Sequence, residues 1–577
     1  MPPIKLSDQQ RDLVKADGHT FAEACPGAGK TRAIVARFLR RTEEEPRKGI
    51  ALLSFTNAAV DEVRTRCGER ADALLVPHYV GTFDSFINRF ITRPQYVQQY
   101  GLTPRFSESW QGIRGASFRL GDMGKLPSFS LDWFEFDWML RASLNEQLIR
   151  PRQHRHALAP VIADRGVELE EQATKRCRGL VGSGRLSCAA SRALAVGYLR
   201  RHETAELFGT LLAARFSEII VDEAQDCGPE ELRALEHLKD WGVTVVMVAD
   251  LDQSIFEFRR ADPEGVRAFV NGLGTPLTLD GNYRSSPAIC TLNNSLRHSN
   301  RQETPAGDNM SCTTPVQLLS FRSPGQVAAA VEAVLAAHDV PRNDVIFLAH
   351  RTTDARSCAG SPTGGTTHST NAVIGIAWAC RTLRSDSSDG RTRRQAMELV
   401  ERTLRIVAEE NDQSDPALDE RWLRDAAVRL AVSLDPTPND AKAYALGLRQ
   451  HIAAIRWPAG ITPRTDLGMM LKAPAQKDWL SASGEGAETF ASATIHSVKG
   501  REFPAVVVVL PRNLLTDADN LHVLDHWEQE MPSELRRVLY VGASRAQKLL
   551  ILAAHRDHIS RVTSRLRKDD VPHVLVP

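Results

Sequence analysis

Hydrophobic positions in this chain come in short buried-strand runs separated by helical periodicity, rather than in the strict alternation of a half-exposed sheet. A short run over residues 19–24 is followed by Ile34, Val35, Phe38 and Leu39 at helical spacing. Ile50 to Thr56 reads as a buried strand ending in a polar loop, residues 58–66 as a helix, and Val80–Phe83 as a further short strand. Ser7 or Asp8 caps a helix ahead of Leu13 and Val14. Strands and helices in alternation predict an α/β fold with a mostly parallel sheet, whose ligands sit at the carboxyl ends of the strands.

Strand signals fade from about residue 88 to 206. The aromatic stretch Leu131–Leu140 predicts a helix, and the whole segment reads as a helical insertion. Sheet rhythm returns at Phe216–Val221, Thr244–Ala249 and Pro276–Leu279. A second α/β domain begins with Val316–Phe321 and Asp344–His350, with a helix over 325–338 between them. Val506–Leu510 and Leu549–Leu552 complete its sheet, after a loop at 360–367 and a polar, largely helical stretch over 372–480. The expected organisation is therefore two parallel-sheet domains, each split by a mainly helical insertion. The first domain takes 1–88 and 207–280 with 89–206 inserted; the second takes 281–371 and 485–577 with 372–484 inserted.

Composition narrows the class. At 577 residues the chain exceeds what one core serves, and 42% hydrophobic with 25% charged residues is globular. A net charge of +1 does not advertise a nucleic-acid binder, so such a surface has to be local. Residues 141–201 hold 12 Lys/Arg against 5 Asp/Glu, which reads either as a solvated helical face or as a phosphate-backbone contact surface. Nine cysteines without a CxxC pair argue against a zinc ribbon, an Fe–S site or a disulfide framework and fit a reducing cytoplasm. Met1–Lys5 does not read as a signal peptide, and Ala505–Leu510 is too short to span a bilayer, so no membrane partner is expected.

Ala24-Cys25-Pro26-Gly27-Ala28-Gly29-Lys30-Thr31 lies between the first strand and the first long helix. Strand, glycine loop, Lys-Thr and helix is how a phosphate-binding loop is built. Its backbone N–H groups form an anion cradle, Lys30 reaches the β/γ-phosphates and the Thr31 hydroxyl holds Mg²⁺. Asp222 and Glu223 end an apolar strand, where the first can hold Mg²⁺ and the second can activate water. Gln253, beyond the next strand, is placed for the γ-phosphate or the attacking water. Arg259, Arg284 and Arg545 are candidates for neutralising charge in the transition state.

Taken in order, these motifs resemble a superfamily 1 DNA helicase of the UvrD/Rep/PcrA type. The matching segments are LSDQQ (6–10), ACPGAGKT (24–31), LSFTNAAVDEVRTR (53–66), VGTFDSF (80–86) and IIVDEAQD (219–226). They continue with VADLDQSIFEFRRA (248–261), NYRSS (282–286), TIHSVKGREFPAVVVV (494–509) and ELRRVLYVGASRA (534–546). The resemblance implies two RecA-like P-loop NTPase domains, ATP and Mg²⁺ as cofactors, and a 3′→5′ motor on single-stranded and partially duplex DNA. It makes Gln10 the adenine reader, Arg32 and Tyr283 the residues that sandwich the base, and Glu502 a residue near the ribose. Arg259, Arg284 and Arg545 become the γ-phosphate arginines. It assigns strand binding to Phe55, Thr56, Asn57, Thr82, Phe256, Phe258, His496 and Ser497. Departures from the pattern are Phe256 and Phe258 for a Tyr/Trp pair, Ala249 for Gly, Asp84 for His, and a short second insertion. Gly81–Phe86 running into Ile91–Pro94 also resembles the helicase-like subunit of the Gabija anti-phage system, which implies a nuclease partner as the alternative.

Overall fold

The computed structural model describes residues 6–576 apart from 69, 112, 114, 122, 124–125, 150–151, 256–260, 299–300, 361–370, 385–389, 409–419, 435–439, 460, 462, 477–478, 480–489 and 518. Two six-stranded sheets dominate it. The first runs in the order Leu277–Leu279, Thr20–Ala24, Thr244–Ala249, Phe216–Val221, Gly49–Ser54, Tyr79–Thr82, with every pairing parallel. Its inner strands are apolar at successive positions because both faces are covered. Ile50, Leu52, Ile220, Val246 and Val248 pack with Ile34 and Phe38 of the Lys30–Glu44 helix. The alternate residues Ala51, Leu53, Ile219, Val221, Val245 and Met247 belong to a separate core with Phe83, Phe86 and Phe216.

The second sheet has the order Ala491–Thr494, Val345–Ala349, Phe503–Leu510, Ala546–His555, Val316–Phe321, His573–Val576. Its four central and C-terminal pairings are parallel. Its core joins Val506, Val508, Leu550 and Leu552 to Tyr540 and Trp527. The fold is therefore α/β with two parallel sheets, as the strand pattern predicts. Parallel sheets put all their strand ends on one side, and that is where the motif residues converge.

The chain divides into two compact units. Met1–Ser323, Ala330–Thr352 and Ala493–Pro577 form one, and it contains both sheets; Pro324–Ala329 and Thr353–Ser492 form the other. The second unit is helical, with Ala372–Arg384, Gly390–Val407, Glu420–Ser433 and Ala441–Ala453 around a core that includes Val373, Leu404, Leu430 and Tyr444. Among the described residues no helix is long and apolar enough to cross a membrane.

The insertion after the first three strands departs from expectation. It has its long helix, Arg152–Gly182, and a second, Cys188–Leu199, but also three short strand pairs. The stretch expected to be a helix, Leu131–Leu140, is instead a 3-10 turn (Leu131–Trp133) leading into an antiparallel hairpin of Phe134–Phe136 with Ala142–Leu144. Phe134 and Phe136 are buried and Glu135 between them is not, a period of two that tertiary packing enforces over a short apolar run.

Candidate nucleotide site and nucleic-acid interface

The phosphate loop follows the Thr20–Ala24 strand and feeds the Lys30–Glu44 helix. Gly27 and Gly29 have φ of +69° and +72°. A Cβ on Gly27 would come within 2.5 Å of Asn282 Oδ1, and one on Gly29 within 2.5 Å of Gln10 Nε2. Both positions therefore need glycine for conformation, and Gly27 needs it for space as well. The Tyr283 N–H donates to the Gly27 carbonyl at 2.9 Å, and Gln10 Nε2 donates to the Ala28 carbonyl at 2.7 Å. Gln10 is itself fixed by a capping box with Ser7 at the start of the Asp8–Lys15 helix.

Lys30 Nζ lies 3.8 Å from Glu223 Oε2. Asp222, 2% exposed, ends its strand, and its carboxylate accepts the Glu223 N–H at 2.9 Å. Burial and the adjacent Glu223 push Asp222 up from the ordinary carboxylate range. Burial opposes the charge on Glu223 too, but Lys30 and Lys499 outweigh it and hold Glu223 down. Neighbouring carboxylates are thus driven apart. Glu223 sits at φ +53°, a left-handed conformation that a non-glycine residue adopts at a cost.

A relay runs on from Glu223. Gln225 Nε2 donates to its carboxylate, and Gln225 Oε1 accepts the Asp250 N–H at 3.1 Å. Asp250 Oδ2 accepts from Gln253 Nε2 at 2.7 Å and from the Tyr540 hydroxyl at 3.0 Å. Gln253 Oε1 in turn accepts from Arg545 Nη2 at 2.8 Å. Arg545 is 2% exposed, and burial together with Arg284 lowers it to about 9. Arg284 donates to Glu502 Oε2 at 2.7 Å and to the Ser544 carbonyl at 3.1 Å. Lys30, Asp222, Glu223, Gln253, Arg284, Arg545 and Glu502 are therefore linked in one network spanning the two sheets. Tyr283 is 43% exposed and Arg32 is exposed, as open faces for a base require. Arg259, Phe256 and Phe258 lie outside the described residues.

Several bridging residues carry no motif assignment from the sequence. Lys499 Nζ contacts both Asp226 oxygens at 2.6 and 2.7 Å; burial pushes Asp226 up to about 6, and Lys499 works against that shift. Arg297 donates to Asp252 Oδ2 at 3.0 Å, and Arg537 to the Ser254 carbonyl at 2.7 Å. Asp226 and Lys499 stand inside quoted motifs, but no local pattern pairs them across 273 residues. Arg297 stands in no motif.

The turn carrying Tyr283 and Arg284 rests on a buried carboxylate. Asn282 Oδ1 accepts the Arg284 and Ser285 N–H groups, and Asn282 Nδ2 donates to Glu303 at 2.8 Å. Burial raises Glu303 from 4.5 to about 7, against the opposing pull of Arg297. The native state therefore holds this proton more tightly than the unfolded chain. The contribution of Glu303 to stability is full below about pH 4.5 and is lost as pH rises through about 7, the slope between the two being at most one proton. Glu303→Gln should flatten that slope, as read from urea midpoints between pH 5 and 8; an unchanged slope would assign it elsewhere.

Residues predicted for strand contact sit at carboxyl ends of strands. Thr56 caps Asn57–Cys67 by accepting the Ala59 N–H, and Thr82 caps Phe83–Ile87 by accepting the Ser85 N–H, each at 3.2 Å. Phe55 stacks on Phe83 with centroids 5.9 Å apart. In the second sheet Ser497 follows the cap Thr494, and the His496 ring meets His350 at 5.1 Å. Asn57, Thr82 and Ser85 open into a cleft of about 690 Å³ whose walls include Arg64, Arg89 and Arg93. These arginines are further candidates: Arg64 and Arg93 stand inside quoted segments without a role of their own, and Arg89 stands in none but is spaced to share a helix face with Arg93. Asp84, half-buried, is paired with Arg192 at 2.5 Å.

The UvrD/REP helicase N-terminal domain matches residues 6–272, and the UvrD-like helicase C-terminal domain matches residues 490–553. The chain belongs to the UvrD/Rep family of superfamily 1 helicases. Among family members, DNA helicase II of Escherichia coli is 24% identical over 95% of this chain and 84% of its own length. ATP-dependent DNA helicase PcrA of Bacillus subtilis is 24% identical over 52% of this chain and 40% of its own length. ATP-dependent DNA helicase UvrD1 of Mycobacterium tuberculosis is 26% identical over 61% of this chain and 48% of its own length. The chain thus spans less than half the length of several curated relatives it matches, with the Escherichia coli protein covered more fully. The two matching domain segments contain the phosphate loop, the 222–223 carboxylates and Gln253 in one, and His496, Lys499, Glu502 and Arg545 in the other.

Proposed function

We propose that this protein is an ATP-dependent DNA translocase and helicase moving 3′→5′ on single-stranded DNA. The observation carrying this reading is the relay from Glu223 through Gln225, Asp250 and Gln253 to Arg545, which joins the hydrolytic end of one sheet to a cationic residue of the other. In this reading the Gly27–Thr31 backbone N–H groups and Lys30 bind the phosphates. Gln10 orients the adenine, and Tyr283 and Arg32 hold its faces. The residues fit a divalent cation, since Thr31 offers a hydroxyl beside the cradle and Asp222 is a buried carboxylate at a strand end. Mg²⁺ held there would supply charge neutralisation at the β/γ-phosphates.

Glu223, held ionised by Lys30, is the base that accepts the proton of the attacking water. Gln253 is positioned by Asp250 and Arg545 to orient that water. Arg284 and Arg545, both anchored on the second sheet's side, neutralise developing charge only when the two sheets are drawn together. Loss of the γ-phosphate therefore loosens the pair, and alternation of the two states moves the strand past Phe55, Thr56, Asn57, Thr82, His496 and Ser497.

The test is ATP hydrolysis with no nucleic acid, single-stranded DNA, duplex DNA and RNA, followed by unwinding of 3′- and 5′-tailed duplexes. Single-stranded DNA should stimulate turnover at least tenfold, EDTA should abolish it, and only the 3′-tailed duplex should open. Turnover indifferent to every nucleic acid would overturn the motor reading.

A further inference from the structure

The 134–144 hairpin, which stands in place of the helix expected over 131–140, closes on a turn held by several hydrogen bonds. Asp137 Oδ1 accepts the N–H groups of both Met139 and Arg141 at 2.8 Å, and Asp137 Oδ2 pairs with Arg141 Nε at 2.8 Å. The Leu140 N–H donates to the Asp137 carbonyl, also at 2.8 Å. Leu140 has φ +59°, a left-handed conformation that bulky side chains avoid, and its side chain is buried. The result is that Trp138 and Met139 face outward, 38% and 45% exposed. Exposing two large apolar side chains at a strained turn gains the fold nothing.

Trp138 is nevertheless held firmly. Its carbonyl oxygen lies against the Cys188–Leu199 helix at Gly197, where an added Cβ would approach it to 2.7 Å. The Arg200 guanidinium is 5.2 Å from the ring centroid, and Arg178 donates to the Met139 carbonyl at 3.0 Å. The same helix carries Arg192, which pairs with Asp84 in the Phe83–Ile87 turn capped by Thr82. Five residues of helix place Arg192 and Gly197 about 7.5 Å apart along the axis. Arg141, Arg178 and Arg200 all belong to the stretch with 12 basic against 5 acidic residues.

We propose that the Asp137–Arg141 turn is a nucleic-acid contact in which an unpaired base of the DNA strand stacks on Trp138. Arg178 and Arg200 supply positive charge beside the ring, while the Arg141 charge is balanced by Asp137. The proposal rests on the DNA-motor reading and adds a stacking point on the insertion, away from the strand residues carried by the two sheets. Single-strand binders combine a positive surface with an aromatic ring because every base has a π-face. A fixed ring flanked by arginines, reached by a helix that also anchors the Thr82 turn, has that make-up. A protein partner is the competing occupant.

The test uses the full chain, a labelled single-stranded oligonucleotide and a 3′-tailed duplex, with Kd measured at several salt concentrations. Trp138→Ala should weaken binding about tenfold, the loss of one base–aromatic stack. Trp138→Phe should stay within about twofold because it keeps a π-face. The slope of log Kd on log salt should not change in either, because no charge is removed. ATP hydrolysis without nucleic acid should match the unaltered chain. Crosslinking of a 5-iodouracil strand to the unaltered chain should map to the peptide around 137–141, a readout that needs no variant. If the unaltered chain binds neither oligonucleotide, the motor reading fails. If it binds and Trp138→Ala binds equally tightly, or the crosslink maps elsewhere, the contact at the turn fails and a protein occupant takes its place.

Discussion

Lys30→Ala should abolish DNA-stimulated ATP hydrolysis, with turnover falling by at least a thousandfold. Two losses compound. The first is the ammonium that the phosphate loop presents to the β/γ-phosphates. The second concerns Glu223, whose carboxylate lies 3.8 Å from Lys30 Nζ and owes its depressed pKa first to that lysine. Without Lys30, Glu223 loses the nearest of the positive charges that hold it down and keeps Lys499, Gln225 and Arg545. Steady-state turnover with saturating single-stranded DNA measures the loss, and retained hydrolysis would falsify the site.

The largest effect on stability is expected at Arg37. Arg37 and Glu218 are each 1% exposed and form two hydrogen bonds, Nε to Oε1 at 2.7 Å and Nη2 to Oε2 at 2.8 Å. Arg37 Nη1 also donates to the Leu13 and Ala16 carbonyls at 2.8 and 2.7 Å. This side chain ties the Asp8–Lys15 helix, which bears Gln10, to the Lys30–Glu44 helix and to the Phe216–Val221 strand that ends at Asp222. Arg37→Met leaves the buried Glu218 carboxylate with Arg41 Nε, 3.3 Å away, as its remaining cation and takes the donor from the Leu13 and Ala16 carbonyls. Removing one partner of such a pair costs about 3–5 kcal/mol. Replacing both, Arg37→Met with Glu218→Leu, should recover much of the loss, because no buried carboxylate is left short of a partner and Arg41 keeps Glu44 and Glu45. Urea unfolding of the two variants decides it; a single variant as stable as the parent would mean that water reaches the pair.

Much of the candidate nucleotide site was readable from local sequence because its chemistry is local. The turn at Gly27 and Gly29 needs positive φ, Lys30 and Thr31 follow at fixed offsets, and Asp222–Glu223 end an apolar run whose burial forces a strand. What joins them was not readable. Gln253 meets Arg545 across 292 residues of chain, and Asp226 meets Lys499 across 273. Nor does any local pattern announce Arg297 on Asp252, or the Asn282–Glu303 support beneath Arg284.

Local patterns were enough to specify the two parallel sheets, the phosphate loop and the carboxylates at the strand end, because apolar runs and glycine offsets act over a few residues. How Glu223, Gln253 and Arg545 connect, and that Asp84 pairs with Arg192, came from packing alone. Packing also makes 134–144 a hairpin holding Trp138 outward in place of the helix expected over 131–140. Each depends on which distant element lies opposite, and an aromatic run of ten residues satisfies either period until its packing partners choose.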